Sequence, residues 1–363
     1  MEGWKMHDNN RVTRETFLKQ CAAMGLAGAV ASGAWGQTPA APSKDPIDAK
    51  KEIMWAYLIH LGLNMWCDRD APEAGEYSCA KPYLRFEDAF WKDLVEKMKA
   101  EGVNVVVIDL GEGVQYKSHP EIAVKGSWSH DRLREELAAL RALGIEPLPK
   151  MNFSTCHDAW LGPYSHKVST EEYYAVVRDL IAEAVDLFDK PRFFHLGMDE
   201  ETMDCQKFYE YAQVRQYDLW WRDFDLLVKA VEKGGVRPWI WADCCWYKPD
   251  EFTDKMPKSV LQSSWFYGED LREDSESCAV KAYMQLDKLG YDQVPTGSNW
   301  TTPTNFEHTV DYCAKRISKE HLKGFLQTSW RATLETFRKQ HFEALEQLGR
   351  AKKAYSDQVS KPA

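Results

Sequence analysis

The chain has 363 residues, enough for one large domain or two ordinary ones, and with 44% hydrophobic and 13% aromatic residues it can fill a sizeable core. A formal net charge of −10 argues against nucleic acid or an anionic membrane as the main partner. Tryptophan is the outlier at 15 residues, more than packing alone usually needs.

At the N-terminus, Lys5, Arg11 and Arg14 precede a weakly apolar stretch, residues 22–34, and a Pro/Ala-rich segment, 37–42, follows it. This pattern predicts an export signal over residues 1–37 and a linker over 38–52, hence a periplasmic or secreted protein. The apolar stretch is too short and too glycine-rich to span a bilayer. The run from Thr13 to Lys19 resembles a twin-arginine signal with Glu15 in the second arginine position. Cys21 follows Lys-Gln rather than a small apolar triplet, which speaks against a lipid anchor.

Beyond the linker, short apolar runs alternate with amphipathic stretches. The expected strands are 56–64, 103–110, 146–152, 192–197, 238–243, 260–265, 293–298 and 324–330. The expected helices are 86–100, 130–143, 170–188, 206–233, 249–256, 277–289, 305–318 and 334–354. Ser129 and Thr170 stand where a hydroxyl caps a helix start, and Gly102, Gly144 and Gly290 stand where helices stop. Eight such units predict an α/β fold, a single (β/α)8 TIM barrel over residues 53–355 with a tail at 356–363. A doubly wound sheet is the alternative, but its glycine-rich phosphate turn after the first strand is missing.

A barrel keeps its chemistry at the C-terminal ends of its strands. In order these ends carry Asn64/Trp66/Asp68, Asp109/Glu112, Asn152/His157, Asp199/Glu200/Glu201, Asp243/Trp246, Trp265/Tyr267, Asn299/Trp300 and Trp330/Arg331. Acids and amides interleaved with indole rings make the composition of a carbohydrate site. The predicted substrate contacts are Asp109, Asn152, His157, Asp243, Trp246, Trp265, Tyr267, Trp300 and Trp330. His60, within its strand, reads as a core histidine, and His195 as a residue pointing into the barrel.

The fourth strand ends in Gly197-Met198-Asp199-Glu200-Glu201, three acids after an apolar run. Glycoside cleavage needs a proton donor and a group that stabilises the developing positive charge. Glu200 suits the donor, because crowding beside Asp199 and partial burial favour a protonated carboxyl. Asp199 would stay ionised, and Gly197 permits the turn that brings both together. Glu201 reads as a helix-start acid drawn by the macrodipole. The eight cysteines beyond Cys21 include no C-x-x-C pair, so no thiolate metal site is predicted, and any disulfide pairing stays open.

His195-Leu196-Gly197-Met198-Asp199-Glu200 resembles the His-x-Gly-Gly-Asp-Glu signature of glycoside hydrolase family 20, the β-N-acetylhexosaminidases. Asn104 to Asp109 with His119-Pro120-Glu121-Ile122, Glu146 to His157, and Gly324 to Trp330 resemble that family's second, third and last strands in the same order. The resemblance implies a retaining, substrate-assisted mechanism without a metal or organic cofactor. Glu200 would be the general acid/base, and Asp199 would orient the sugar's 2-acetamido group as it attacks the anomeric carbon. Trp265 and Trp330 would wall the pocket, and Asp109 and His157 would be polar supports.

Three departures stand out. Met198 replaces the signature's second glycine, which would narrow the space beside the acids. The family's sugar-binding arginine after the first strand has only Asn64 in its place, and Trp330 is followed by Arg331-Ala332 rather than by x-Glu. These groups normally hold sugar hydroxyls. The expectation is therefore an exported glycosidase whose sugar is open. A carbohydrate-binding barrel without turnover and a metal-dependent sugar isomerase or lyase are the alternatives.

Overall fold

A computed structural model describes residues 52–359. The export-signal segment with Cys21, the linker up to residue 51 and the last four residues of the tail lie outside the described residues. Eight parallel strands form the barrel: β1 (Met54–His60), β2 (Val105–Asp109), β3 (Glu146–Lys150), β4 (Phe193–His195), β5 (Arg237–Trp241), β6 (Leu261–Ser263), β7 (Thr296–Ser298) and β8 (Gly324–Thr328). The ladder runs β6-β5-β4-β3-β2-β1-β8-β7, and the parallel bridges Gln262–Gln293 and Trp265–Thr296 bring β6 to β7 and close it.

The helices are α1 (Asp88–Ala100), α2 (His130–Ala142), α3 (Glu171–Leu187), α4 (Tyr217–Lys233), α5 (Asp243–Tyr247), α6 (Pro249–Lys255), α7 (Cys278–Lys288), α8 (Asn305–Arg316) and α9 (Arg338–Val359). Ser129 and Thr170 cap α2 and α3 as expected, each hydroxyl accepting a backbone N–H three residues on. Helix α9 runs on into the segment expected to be tail. No helix among the described residues is long and apolar enough to cross a membrane.

Strand parity sorts the core. Met54, Ala56, Leu58, Val105, Val107, Phe193, Trp239 and Trp241 fill the barrel interior, while Tyr57, Ile59, Val106, Ile108 and Ile240 pack outward against the helices. Burying each large apolar side chain contributes about 1.5–3 kcal/mol. At the top of the interior the parity changes chemistry. His60, Asp109, Lys150 and His195 occupy neighbouring register positions on β1 to β4, all at most 1% exposed. Asp109 bonds the Lys150 ammonium and lies 3.5 Å from His60 Nδ1, so the Asp109–Lys150 charge pair is matched beneath the loops.

Most expected strands run past their true ends at the C-terminal side. Leu61 and Gly62 leave the ladder because both donate to the Asp109 carbonyl, at 2.9 and 3.1 Å, and the chain turns into the loop there. The helix expected from Gln206 begins only at Tyr217, and residues 201–216 form a loop held by buried polar contacts. Glu201 therefore caps no helix. Its carboxylate takes a two-pronged bond from buried Arg215, at 2.7 and 2.9 Å, and Arg215 also reaches the Phe153 carbonyl at 2.7 Å.

Candidate active site

The acid turn is set by backbone conformation. Gly197, Met198 and Glu200 all have left-handed φ, at 74°, 73° and 53°. A Cβ on Gly197 would lie 1.9 Å from Asn152 Oδ1, so only glycine fits there. Met198 takes a glycine-like conformation with a side chain, a strain the surrounding packing must hold. That side chain is buried in the apolar cluster that also holds Phe194 and Leu196.

The loop after β3 holds this turn from behind. Asn152 Nδ2 donates to Asp199 Oδ1 at 2.8 Å, and Asn152 Oδ1 accepts the N–H groups of Ser154 and Met198. Ser154 Oγ donates to the Asp199 carbonyl. Asn152, expected to touch substrate, is spent on orienting Asp199.

His157 completes a triangle. Its Nε2 stands 3.2 Å from Asp199 Oδ2 and 3.4 Å from Glu200 Oε2. Burial opposes charge on this imidazole, but Asp199 and Glu200 outweigh it and hold its pKa well above the usual value. Burial likewise opposes charge on Asp199, yet His157, Lys150 and Asn152 keep that carboxyl well below the usual range. The expected burial falls on Asp199, whose side chain is 11% exposed, while Glu200 at 40% faces the opening. His195 is neutral: burial and the Lys150 charge push its pKa well down, and its Nδ1 accepts the Gly197 N–H.

Asp243 holds the Glu200 backbone and the Trp265 ring. Oδ1 accepts the Glu200 N–H at 3.1 Å and Oδ2 accepts the Trp265 indole N–H at 2.9 Å. Burial, reinforced by the charges of Asp199 and Glu200, raises its pKa well above the usual range. Asp109 is likewise a support, its carboxylate taken up by Lys150 below the site. Glu112, also at a strand end, is buried against the N–H groups of Leu63 and Asn64.

Rings surround the carboxylates. Trp246 meets Trp265 at 4.7 Å, Trp265 stacks on Tyr267 at 5.0 Å, and Tyr267 faces Trp330 at 6.5 Å. His60 then links Trp330 to Trp66, which meets His157 at 6.3 Å and returns the ring to the acids. The Trp300 ring lies under the Arg331 guanidinium at 4.1 Å. Sequence reading missed Lys150, which the inward parity of β3 marks, and Ser154, which lies in the loop beyond that strand. Arg215 carries no comparable signal.

His157, Asp199 and Glu200 each offer one ligand atom within 4.8 Å of the others, the single such three-residue group among the described residues. The donor set of one imidazole and two carboxylates could take a divalent cation. A protonated His157 already balances the same two acids, and no further ligand joins it.

No protein-family model and no curated protein matches the sequence. Solved structures do match. A chitobiase of Flavobacterium johnsoniae aligns with TM-score 0.54 and 16% identity over 76% of this chain and 49% of its own. A family 20 exo-β-N-acetylglucosaminidase of Vibrio harveyi aligns at 0.53 and 14%, over 84% and 57%. The pneumococcal virulence factor StrH, described for N-glycan recognition and hydrolysis, aligns at 0.54 and 16%, over 85% and 87%. The chain thus spans about half the length of the chitobiase. The class defined here is a (β/α)8 barrel of the kind found in family 20 glycosidases.

Proposed function

We propose that this protein is an exported glycosidase of the family 20 type, acting on β-linked N-acetylhexosaminides or a closely related sugar. The observation that carries the reading is the triangle of His157, Asp199 and Glu200 at the end of β4, enclosed by aromatic rings. Glu200, the exposed acid, protonates the leaving oxygen and then activates water. Asp199, ionised and held by Asn152 and His157, orients the 2-acetamido group and stabilises the charge that develops as its oxygen closes on the anomeric carbon. Trp265 and Trp330 flank the sugar. Export rests on the basic and apolar pattern of the first 37 residues.

The test is a panel of aryl glycosides, including N-acetylglucosaminide and N-acetylgalactosaminide, run on the wild type beside Glu200→Gln. The expected result is cleavage of a 2-acetamido sugar, lost in the variant. Sugar binding without cleavage would assign a binding module instead. Equal cleavage of substrates lacking the acetamido group would remove the substrate-assisted step, and Asp243, not the sequestered Glu112, would be the second carboxylate to try as nucleophile.

A further inference from the structure

We infer that His157, Asp199 and Glu200 form an inhibitory zinc site, in which the ion occupies the acid pair and shuts it off from substrate. The three ligand atoms lie within 4.8 Å of one another. In a tetrahedral zinc site with bonds of about 2.0–2.1 Å, neighbouring donors stand about 3.3–3.4 Å apart. His157 Nε2 stands 3.2 Å from Asp199 Oδ2 and 3.4 Å from Glu200 Oε2, so two edges of that tetrahedron already exist. The third edge, between the carboxylates, closes by a turn of the half-exposed Glu200 side chain.

A second observation points the same way. His157 is 4% exposed, and its Nε2 lies close to both acids yet makes a well-aligned hydrogen bond to neither. A proton needs one nearly straight line from nitrogen to oxygen, whereas an ion among three donors needs only the right distances. Asp199 is already oriented as a ligand, because Asn152 Nδ2 holds its other oxygen at 2.8 Å. One imidazole with two carboxylates suits zinc better than magnesium, which prefers an octahedron of oxygens, and three protein ligands leave a fourth position for water. The affinity has a ceiling. His157 Nδ1 has no acceptor among the described residues, and the Lys150 charge already acts on Asp199. Missing support of this kind costs about 10–100-fold in affinity, which makes the ion a reversible inhibitor rather than a resident cofactor. The imidazole proton leaves to solvent as zinc enters.

The inhibition rests on the proposed glycosidase reading, but the binding does not. The untagged full chain, freed of metal with EDTA, is titrated with zinc chloride by calorimetry and with cobalt chloride while visible absorption is followed. The rate on an aryl N-acetylglucosaminide is measured over the same range of zinc. The expected result is one ion per chain, the visible bands of four-coordinate cobalt, and a rate that falls as the site fills. EDTA should restore the rate, and magnesium chloride should leave it unchanged. His157→Gln and Glu200→Gln should each weaken zinc binding by at least about tenfold. Glu200→Gln, at a half-exposed position, keeps the test decisive if His157→Gln fails to fold. Zinc bound as tightly by Glu200→Gln as by the wild type, or cobalt bands of the thiolate-to-metal kind, would overturn the inference. So would stoichiometric binding that leaves the rate unchanged. A protein without glycosidase activity under any condition would sink the functional reading alone, because calorimetry and the cobalt spectrum still decide the site.

Discussion

The two halves of the barrel mouth are built differently. From β3 to β5, loops hold one another: Asn152 and Ser154 grip Asp199, Cys156 and Asp243 grip Glu200, and Arg215 ties Glu201 to the Phe153 carbonyl. From β7 through β8 to β1, polar groups bind one another and not the acid turn. Asn64 is taken up by Arg85 and Lys81, and Arg331 lies over Trp300. A group that must deliver a proton at one place needs a fixed frame. Groups that recognise a sugar can change partner without harming the chemistry, and that is where the resemblance to family 20 departs.

The comparison breaks first if the fixed half is not essential. Glu200→Gln should lower kcat/KM on the preferred aryl glycoside by about 10²–10⁴-fold, the usual contribution of a general acid. A milder loss would move the acid elsewhere. His157→Gln should come next, because it leaves Asp199 buried without its cation, at a stability cost of about 3 kcal/mol by urea unfolding. Its pH dependence has a definite sign. The His157 charge is worth most below about pH 6.5 and is lost as pH rises through its elevated pKa. The Asp199 charge acts oppositely, present above about pH 4 and lost as pH falls through its lowered pKa. Wild-type stability should therefore decline on the alkaline side by a step that His157→Gln lacks.

Asp243→Asn tests the frame more gently. Asparagine can still accept one N–H, but its amide nitrogen cannot accept the other, so either Glu200 or Trp265 loses its partner. About tenfold in kcat is expected from one lost hydrogen bond, together with a shift in tryptophan fluorescence. The smallest effect sharpens the contrast. Trp265→Ala should raise KM by about tenfold as a wall of the ring is lost, whereas Trp300→Ala should change it by less than about twofold. Equal effects would return Trp300 to the sugar site.

How much of this was legible in the sequence depends on what each residue answers to. The eight strands follow from local apolar runs, and inward parity carried Asp109, Asn152, Asp243, Trp265 and Trp330 to the mouth of the barrel. Local pattern does not say whether an inward group faces substrate or a neighbour. Asn152, Asp243 and Asp109 all turned out to face neighbours, because bonds across strands decide that. Glu201 failed for the same reason: its partner Arg215 lies beyond a loop that reads as helix by composition alone.

The left-handed run at Gly197, Met198 and Glu200 bears on how such a protein can diversify. A turn held in glycine-like geometry, with a neighbouring amide filling the space a Cβ would need, rejects insertions and most replacements. Variation selected for a new glycan would accumulate across the mouth, in the loops after β7, β8 and β1, while the acid turn stayed fixed. A library confined to those three loops should return altered sugar preference with the proton chemistry intact, and one aimed at residues 197–200 should return mostly unfolded chains.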